Sequence, residues 1–493
     1  MTRPIRLHLS WRRNGDGFDV ALAVNRLLAH DQPVWWCLKP SRTVDAGDYL
    51  LEGPPALTER LSELGLSTAR WSGRLPHGAR RVQTPRIRLL AGRASAYPYF
   101  AYYTLCLTRL GLSYDPVGGA DIARGALAEA NLFVMPGGFA TWGLDKAEES
   151  PGADTAVRAF LEAGGTCIGS CGGAYYLSAG RPAWTGTVWA RPRFTHEYLQ
   201  SGAGIVSLRL ADDLLTLGCP ASVEVPYYHG PIYDDLGSEV EVAAVFDGLC
   251  LPARLSIDNP LEPRRFQREM AGRPAVLRAQ GRRGRAVLFS PHPEMGDLLR
   301  KYVALDGYVR RYLPTRGRPT MEETLRAYRP LDSPTFHLVL NAIHALMLTP
   351  TWRRAPELTG SKAHLVRPVP SLRTYQQAAS HLLTSLRLPG STGHGAVLRT
   401  LSADLAARLA PAASGLAKAL RLLNATPGRE GQRILRAWNH LATQGTATLA
   451  QGRLSRRPVA ERLMHVELAI SLWESWRRII EAELLLAPSG PRR

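Results

Sequence analysis

A chain of 493 residues with 61 Lys and Arg against 42 Asp and Glu, a net charge of +19, is long enough for two or three domains with ample core. Apolar residues at 45% and charged residues at 21% are ordinary for a globular protein and exclude a disordered or fibrous chain. No stretch approaches the roughly 20 apolar residues of a membrane-spanning helix. The charged start, Met1 to His8 followed by Arg12-Arg13, lacks the apolar core of a signal peptide, so a cytoplasmic location without a membrane partner is expected.

The six cysteines form no Cys-x-x-Cys pair and no zinc spacing. They read as free thiols of a reducing compartment, with no metal and no cofactor expected. The positive excess lies almost wholly beyond residue 300. A basic helical region suits nucleic acid, an anionic membrane surface or an acidic protein. Only five of the 61 basic residues are Lys, which fits a general Arg bias and sets nucleic acid behind the other partners.

Residues 1–84 read as a small α/β segment of unassigned role: a strand at Ile5 to Ser10, a helix at Asp19 to His30, a strand at Val34 to Leu38 and a short helix at Ala56 to Leu66. Residues 72–84 read as a linker. Next come a strand at Ile87 to Leu90, a helix at Tyr99 to Leu110, a strand from Ser113-Tyr114, a strand at Leu132 to Met135 and a helix at Ala153 to Glu162. Strands alternating with helices argue for a parallel sheet, whose ligand crevice lies at the C-terminal strand ends.

Three such ends carry chemistry. Leu132 to Met135 runs into Pro136-Gly137-Gly138. A strand at Gly165 to Ile168 runs into Gly169-Ser170-Cys171-Gly172-Gly173, followed by a helix start. A strand at Arg285 to Phe289 ends in His292-Pro293-Glu294. Strand, sharp turn bearing a nucleophile, then helix is the nucleophile-elbow arrangement, here with Cys. At a helix N-terminus, backbone N–H groups favour a thiolate. A His base with an orienting carboxylate is the logic of an activated thiol. The bland reading of each motif, taken alone, is a Gly-rich turn and a surface His.

Between elbow and His-Pro-Glu the chain is rich in strand patterns: Thr187 to Trp189, Gly204 to Leu210, Ser222 to Tyr227, Glu239 to Phe246 and Ala275 to Gln280. Antiparallel additions to the sheet are expected. The stretch Pro226 to Tyr233, with Tyr228 and His229, reads either as a pocket-lining loop or as a packed aromatic turn. His196 reads as structural. Gly296 to Tyr312 reads as a closing helix.

In this order the three motifs resemble the class I glutamine amidotransferase-like superfamily, most nearly its biotin-protein ligase N-terminal type. The resemblance covers about Arg86 to Leu313, set within a domain of residues 85–315. It implies a flavodoxin-like α/β fold with a mostly parallel sheet. Cys171 would be the nucleophile, His292 the base and Glu294 the orienting acid, with the N–H groups of Gly138 and Gly172 as oxyanion hole. Gly137, Tyr175, Tyr228 and His229 would face a small-molecule amide substrate. Glutamine-hydrolysing members usually carry Gln two residues after the second elbow glycine, where this chain has Tyr175.

Residues 316–370 read as a connector. A linker at Pro314 to Pro319 leads into it, followed by helices at Met321 to Tyr328 and Pro334 to Leu348 and a second linker at 351–370. His337 and His344 share one helix face without a carboxylate and read as packing residues. Residues 371–493 read as a basic all-α bundle with helices at 371–387, 394–409, 412–424, 429–447 and 458–486. Such a bundle is more often a docking or dimerisation module than an enzyme.

Two functions follow. One is a Cys-His-Glu amidohydrolase or amidotransferase acting on glutamine or a related amide through a thioester. Lacking a P-loop or ligase motif, it would depend on a separate ammonia-accepting synthetase or ligase partner. The other is a non-catalytic small-ligand module whose bundle docks protein or nucleic acid. A reactive thiol at Cys171 separates them.

Overall fold

The computed structural model describes residues 4–15, 17–193, 201–281, 284–311, 325–348, 368–388, 394–426 and 428–488. His196, the linker at Pro314 to Pro319, the start of the expected helix at Met321 and most of the linker at 351–370 lie outside the described residues.

The first segment builds a sheet of its own. β1 (Ile5–Leu9), α1 (Asp19–Ala29), β2 (Val34–Cys37), β3 (Tyr49–Gly53), α2 (Leu57–Glu63), β4 (Ala69–Arg70) and β5 (Ala79–Arg81) follow in order. The sheet order is β4-β1-β3-β2-β5, all antiparallel. The central β3 is apolar and buried. β5 lies in the expected linker, where Ala-Arg-Arg shows no apolar alternation because it is a mostly exposed edge strand.

The main body continues with β6 (Ile87–Leu90), α3 (Tyr99–Arg109), β7 (Tyr114–Val117), α4 (Gly119–Ala123), β8 (Leu132–Met135), α5 (Leu144–Ala147), α6 (Ala153–Glu162), β9 (Thr166–Ser170) and α7 (Gly172–Leu177). After these come β10 (Ala190–Pro192), β11 (Ala203–Leu210), β12 (Ser222–Tyr228), β13 (Tyr233–Leu236), β14 (Val240–Pro252), α8 (Pro263–Glu269), β15 (Pro274–Gly281), β16 (Gly284–Phe289) and α9 (Gly296–Arg311). Nine strands form one sheet, ordered β12-β11-β14-β15-β16-β9-β8-β6-β7.

Its parallel part is β16, β9, β8, β6 and β7. Numbered as they enter the chain, these five strands stand in the order 2-1-3-4-5 of a flavodoxin-like sheet. The other four strands join antiparallel, so the sheet is mixed. The strand expected at Thr187 to Trp189 falls one step later, at β10, which pairs with β13 outside this sheet. The Val188 N–H goes instead to Leu177 O, at 3.0 Å.

The remaining helices are α10 (Thr335–Leu346), α11 (Pro368–Thr384), α12 (His394–Ala425), α13 (Arg429–Ala450), α14 (Gly452–Ser455) and α15 (Val459–Leu486). The sequence predicts a break at Pro411, yet α12 runs through it. Proline there removes the bond to the carbonyl four residues back, at a cost of about 3 kcal/mol. Leu405, Leu409, Ala413, Leu416 and Leu420 are buried on both sides of it, and their packing outweighs the loss.

α15 is buried on nearly every side and packs against α12, α11, α13, α9, α3 and α1. The bundle is therefore joined to the body through one core that contains residues of every segment. Arg26, fully buried, ties three parts together: its guanidinium donates to Gly111 O, Ser113 Oγ and Glu483 Oε2 at 2.7, 2.8 and 3.1 Å. His337 packs against the Trp11 ring at a tilt, and His344 bonds Tyr49 and Asn25, so both are packing residues. No described helix is long and apolar enough to cross a membrane.

Candidate active site

Parallel register brings the three motif-bearing strand ends together. Met135 pairs with Gly169, and Ser170 pairs with Phe289, so Pro136-Gly137, Cys171 and Ser290 leave the sheet side by side. Cys171 lies between β9 and α7 with φ +49° and ψ −105°, a conformation that costs a non-glycine residue about 1–3 kcal/mol. Neighbouring structure fixes it: its N–H donates to Phe289 O at 2.9 Å, and its thiol donates to Tyr228 O at 3.0 Å.

Two close approaches require glycine. A Cβ on Gly172 would lie 2.2 Å from Gly138 O, so these two backbones touch. A Cβ on Gly137 would lie 2.5 Å from His292 Cε1. Gly172 opens α7, so its N–H has no acceptor within the helix. The Ala94–Ser95 loop after β6 supports the Pro-Gly-Gly turn from below: Phe139 N–H donates to Ala94 O at 2.8 Å and Ser95 Oγ to Gly137 O at 3.1 Å.

His292 and Glu294 are 1% exposed and paired, Nδ1 to Oε1, at 2.7 Å. With Nδ1–H donated to the carboxylate, Nε2 is the nitrogen left to the thiol, and it is buried with no other hydrogen-bond partner. Burial pushes the imidazole down, but the Glu294 carboxylate and the Cys171 thiol beside it push harder, raising it to about 10. The other Glu294 oxygen accepts from Ser170 Oγ at 3.0 Å, and Ser170 Oγ lies 2.7 Å from Tyr103 OH. Tyr103 on α3 and Ser170 thus hold Glu294, which holds His292. Ser170 stands beside Cys171 in the Gly-Ser-Cys-Gly-Gly turn, but nothing local marks Tyr103, whose role appears only once α3 lies across the strand ends.

The residues expected to face substrate divide. Gly137 lies against His292. Tyr228 meets the thiol through its carbonyl and places its ring edge-on to His292, with 6.3 Å between centroids. His229 is buried with φ +56°, and its Nδ1 accepts from Gly202 N–H at 3.1 Å. Burial, then Arg265 and His292, lower it to about 4. Tyr175 is buried and packs against Trp184.

Cys171 is partly exposed, while burial raises the other five thiols, Cys37 and Cys219 to about 12. Among the described residues no group of three or more His, Cys, Asp or Glu is placed to hold a metal.

The fold and site define a doubly wound α/β protein with a cysteine, a histidine and a glutamate at adjacent parallel strand ends. No protein-family model matches the chain, and no curated protein matches it. Among solved structures it is similar to a glutamine amidotransferase at 21% identity, over 42% of this chain and 90% of that one, with a TM-score of 0.28. A glutamine amidotransferase from Thermotoga maritima gives 14%, 54% and 99%, with a TM-score of 0.32. A beta-galactosidase from Bacillus circulans gives 13%, 43% and 29%, with a TM-score of 0.26. Likenesses this low say nothing of substrate or reaction.

Proposed function

We propose that the chain is a cysteine amidohydrolase or amidotransferase of the class I glutamine amidotransferase type, nearest to the biotin-protein ligase N-terminal form, with Cys171 on a nucleophile elbow. The observation that carries this reading is the buried His292–Glu294 pair, whose free Nε2 lies beside the thiol of a residue in a strained strand-to-helix turn.

Cys171 Sγ attacks the amide carbonyl carbon, and its proton rests on His292 Nε2. The resting thiol bond to Tyr228 O is given up at this step. The tetrahedral oxyanion is held by the N–H groups of Gly138 and Gly172. The C–N bond breaks as Nε2–H protonates the leaving nitrogen, which departs as ammonia or an amine. Water, deprotonated by His292, then cleaves the thioester and restores the thiol. Ammonia released from glutamine would pass to a separate synthetase or ligase.

A glutamine-like chloroketone, scored by mass spectrometry on wild type and Cys171→Ala, tests the reading alongside glutamate release from glutamine. Labelling confined to Cys171, glutamine protection and glutamate release are expected. Labelling without protection keeps the thiol chemistry and moves the substrate to another amide, as Tyr175 in place of Gln suggests. Equal labelling of all six cysteines refutes it and favours a ligand-binding module.

A further inference from the structure

A buried acid outside the triad keeps one carboxylate oxygen without a partner. Glu461, on the first turn of α15, is 4% exposed, and its Oε2 has no hydrogen-bond partner. Its nearest cation, Arg457, is half exposed, stands 3.8 Å away and gives Nη1 to Ser256 O at 3.2 Å. Ser256 hydrogen-bonds the carboxylate through its backbone and side chain, and burial, with a second acid, Asp306, pushes the Glu461 carboxyl up. Asp306 has its own cation, Arg310, at 2.8 Å. One turn along the same face, His465 presents a buried Nδ1 that also lacks a partner. Burial, then Arg457, lower that imidazole to about 4, so it offers a lone pair rather than a charge.

Hydrogen bonds through Tyr228 connect this acceptor-rich spot to the thiol. Tyr228 takes the thiol's hydrogen on its carbonyl and donates its hydroxyl to Leu255 O at 3.0 Å, next to Ser256, whose carbonyl accepts from Arg457. A buried carboxylate with half its acceptors idle is costly unless a cation completes it.

We propose that Glu461 is a specificity residue of the substrate site, supplied by the C-terminal bundle, and that it receives a cationic amine carried by the amide substrate. The proposal rests on the amide-cleaving reading of Cys171. It gives the bundle a part in recognition: α15 brings the carboxylate, and the Ser256 loop holds it in place.

The test compares alkylation of Cys171 in the full-length protein by two probes with one warhead, N-(2-aminoethyl)chloroacetamide and its uncharged isostere N-propylchloroacetamide. A net charge of +19 disfavours the cationic probe in bulk, so a preference for it has a local origin. Wild type is expected to favour the cationic probe by about tenfold or more, the scale of one charged hydrogen bond. In Glu461→Gln the two rates converge. Arg457→Gln, which removes the competing cation, raises the ratio and reads the same site if Glu461→Gln does not fold. A wild-type ratio near one, or a ratio kept in Glu461→Gln, overturns the proposal and leaves the thiol chemistry standing. Failure of both probes at Cys171, with exposed Cys250 labelled, overturns both.

Discussion

Replacing Glu294 by Gln keeps the shape of the His292 pair and removes its charge. In the folded protein burial pushes His292 down, and the Glu294 carboxylate and Cys171 thiol bring it to about 10, against 6.5 for an unperturbed imidazole. The raised value means that the folded state holds a proton the unfolded chain has lost between these limits. The resulting stability is fully present below pH 6.5 and is lost as pH rises toward 10, at no more than about 1.4 kcal/mol per pH unit. Both partners are 1% exposed at 2.7 Å, so breaking the pair costs about 3 kcal/mol at the acid end. Thermal midpoints of wild type and Glu294→Gln, measured by calorimetry from pH 6 to pH 10, give the difference curve in which other groups cancel. That difference is expected to be largest near pH 6 and to close toward pH 10. A difference that is flat, or that widens with pH, refutes the ion-pair reasoning.

Three further substitutions probe other parts of the design. Gly137→Ala puts a methyl 2.5 Å from His292 Cε1 and displaces the imidazole, so chloroketone labelling of Cys171 is expected to fall at least about a hundredfold, with a stability loss of about 1–3 kcal/mol in the melting curve. Tyr103→Phe removes the hydroxyl that steadies Ser170 and costs about 1 kcal/mol in denaturant unfolding, with a labelling rate reduced less than in Gly137→Ala. Pro411→Ala restores the missing bond on the exposed side of α12 and raises the thermal midpoint, by up to about 3 kcal/mol in stability; a lower midpoint would show that the proline shapes the helix for its partner.

Much of the parallel sheet was legible because its buried strands are short apolar runs closed by Gly, Cys or His. Leu132–Met135 and Gly284–Phe289 need no partner to be recognised, and the same holds for the turns that follow them. The rest depends on neighbours. Ala79–Arg81 is a strand only because Val34–Cys37 offers an edge. α12 crosses Pro411 only because apolar residues on both sides find the same groove. Tyr103 lies in an apolar helical run, and its hydroxyl acquires a role from a residue 67 positions away. Glu461 is still harder to foresee, since amphipathic spacing marks it as one of several polar positions on a long helix.

The bond between Arg26 and Glu483 spans 457 positions, and it has a consequence for how the molecule is made. α1 and α3 emerge early in synthesis, yet the apolar faces they turn toward α15 stay uncovered until a segment hundreds of residues later has left the ribosome. Closing so long a loop is slow relative to helix formation. The nascent chain therefore carries an open hydrophobic face through most of its translation, and the need for a chaperone to shield it falls on the first half of the protein, well before the helix that covers it exists.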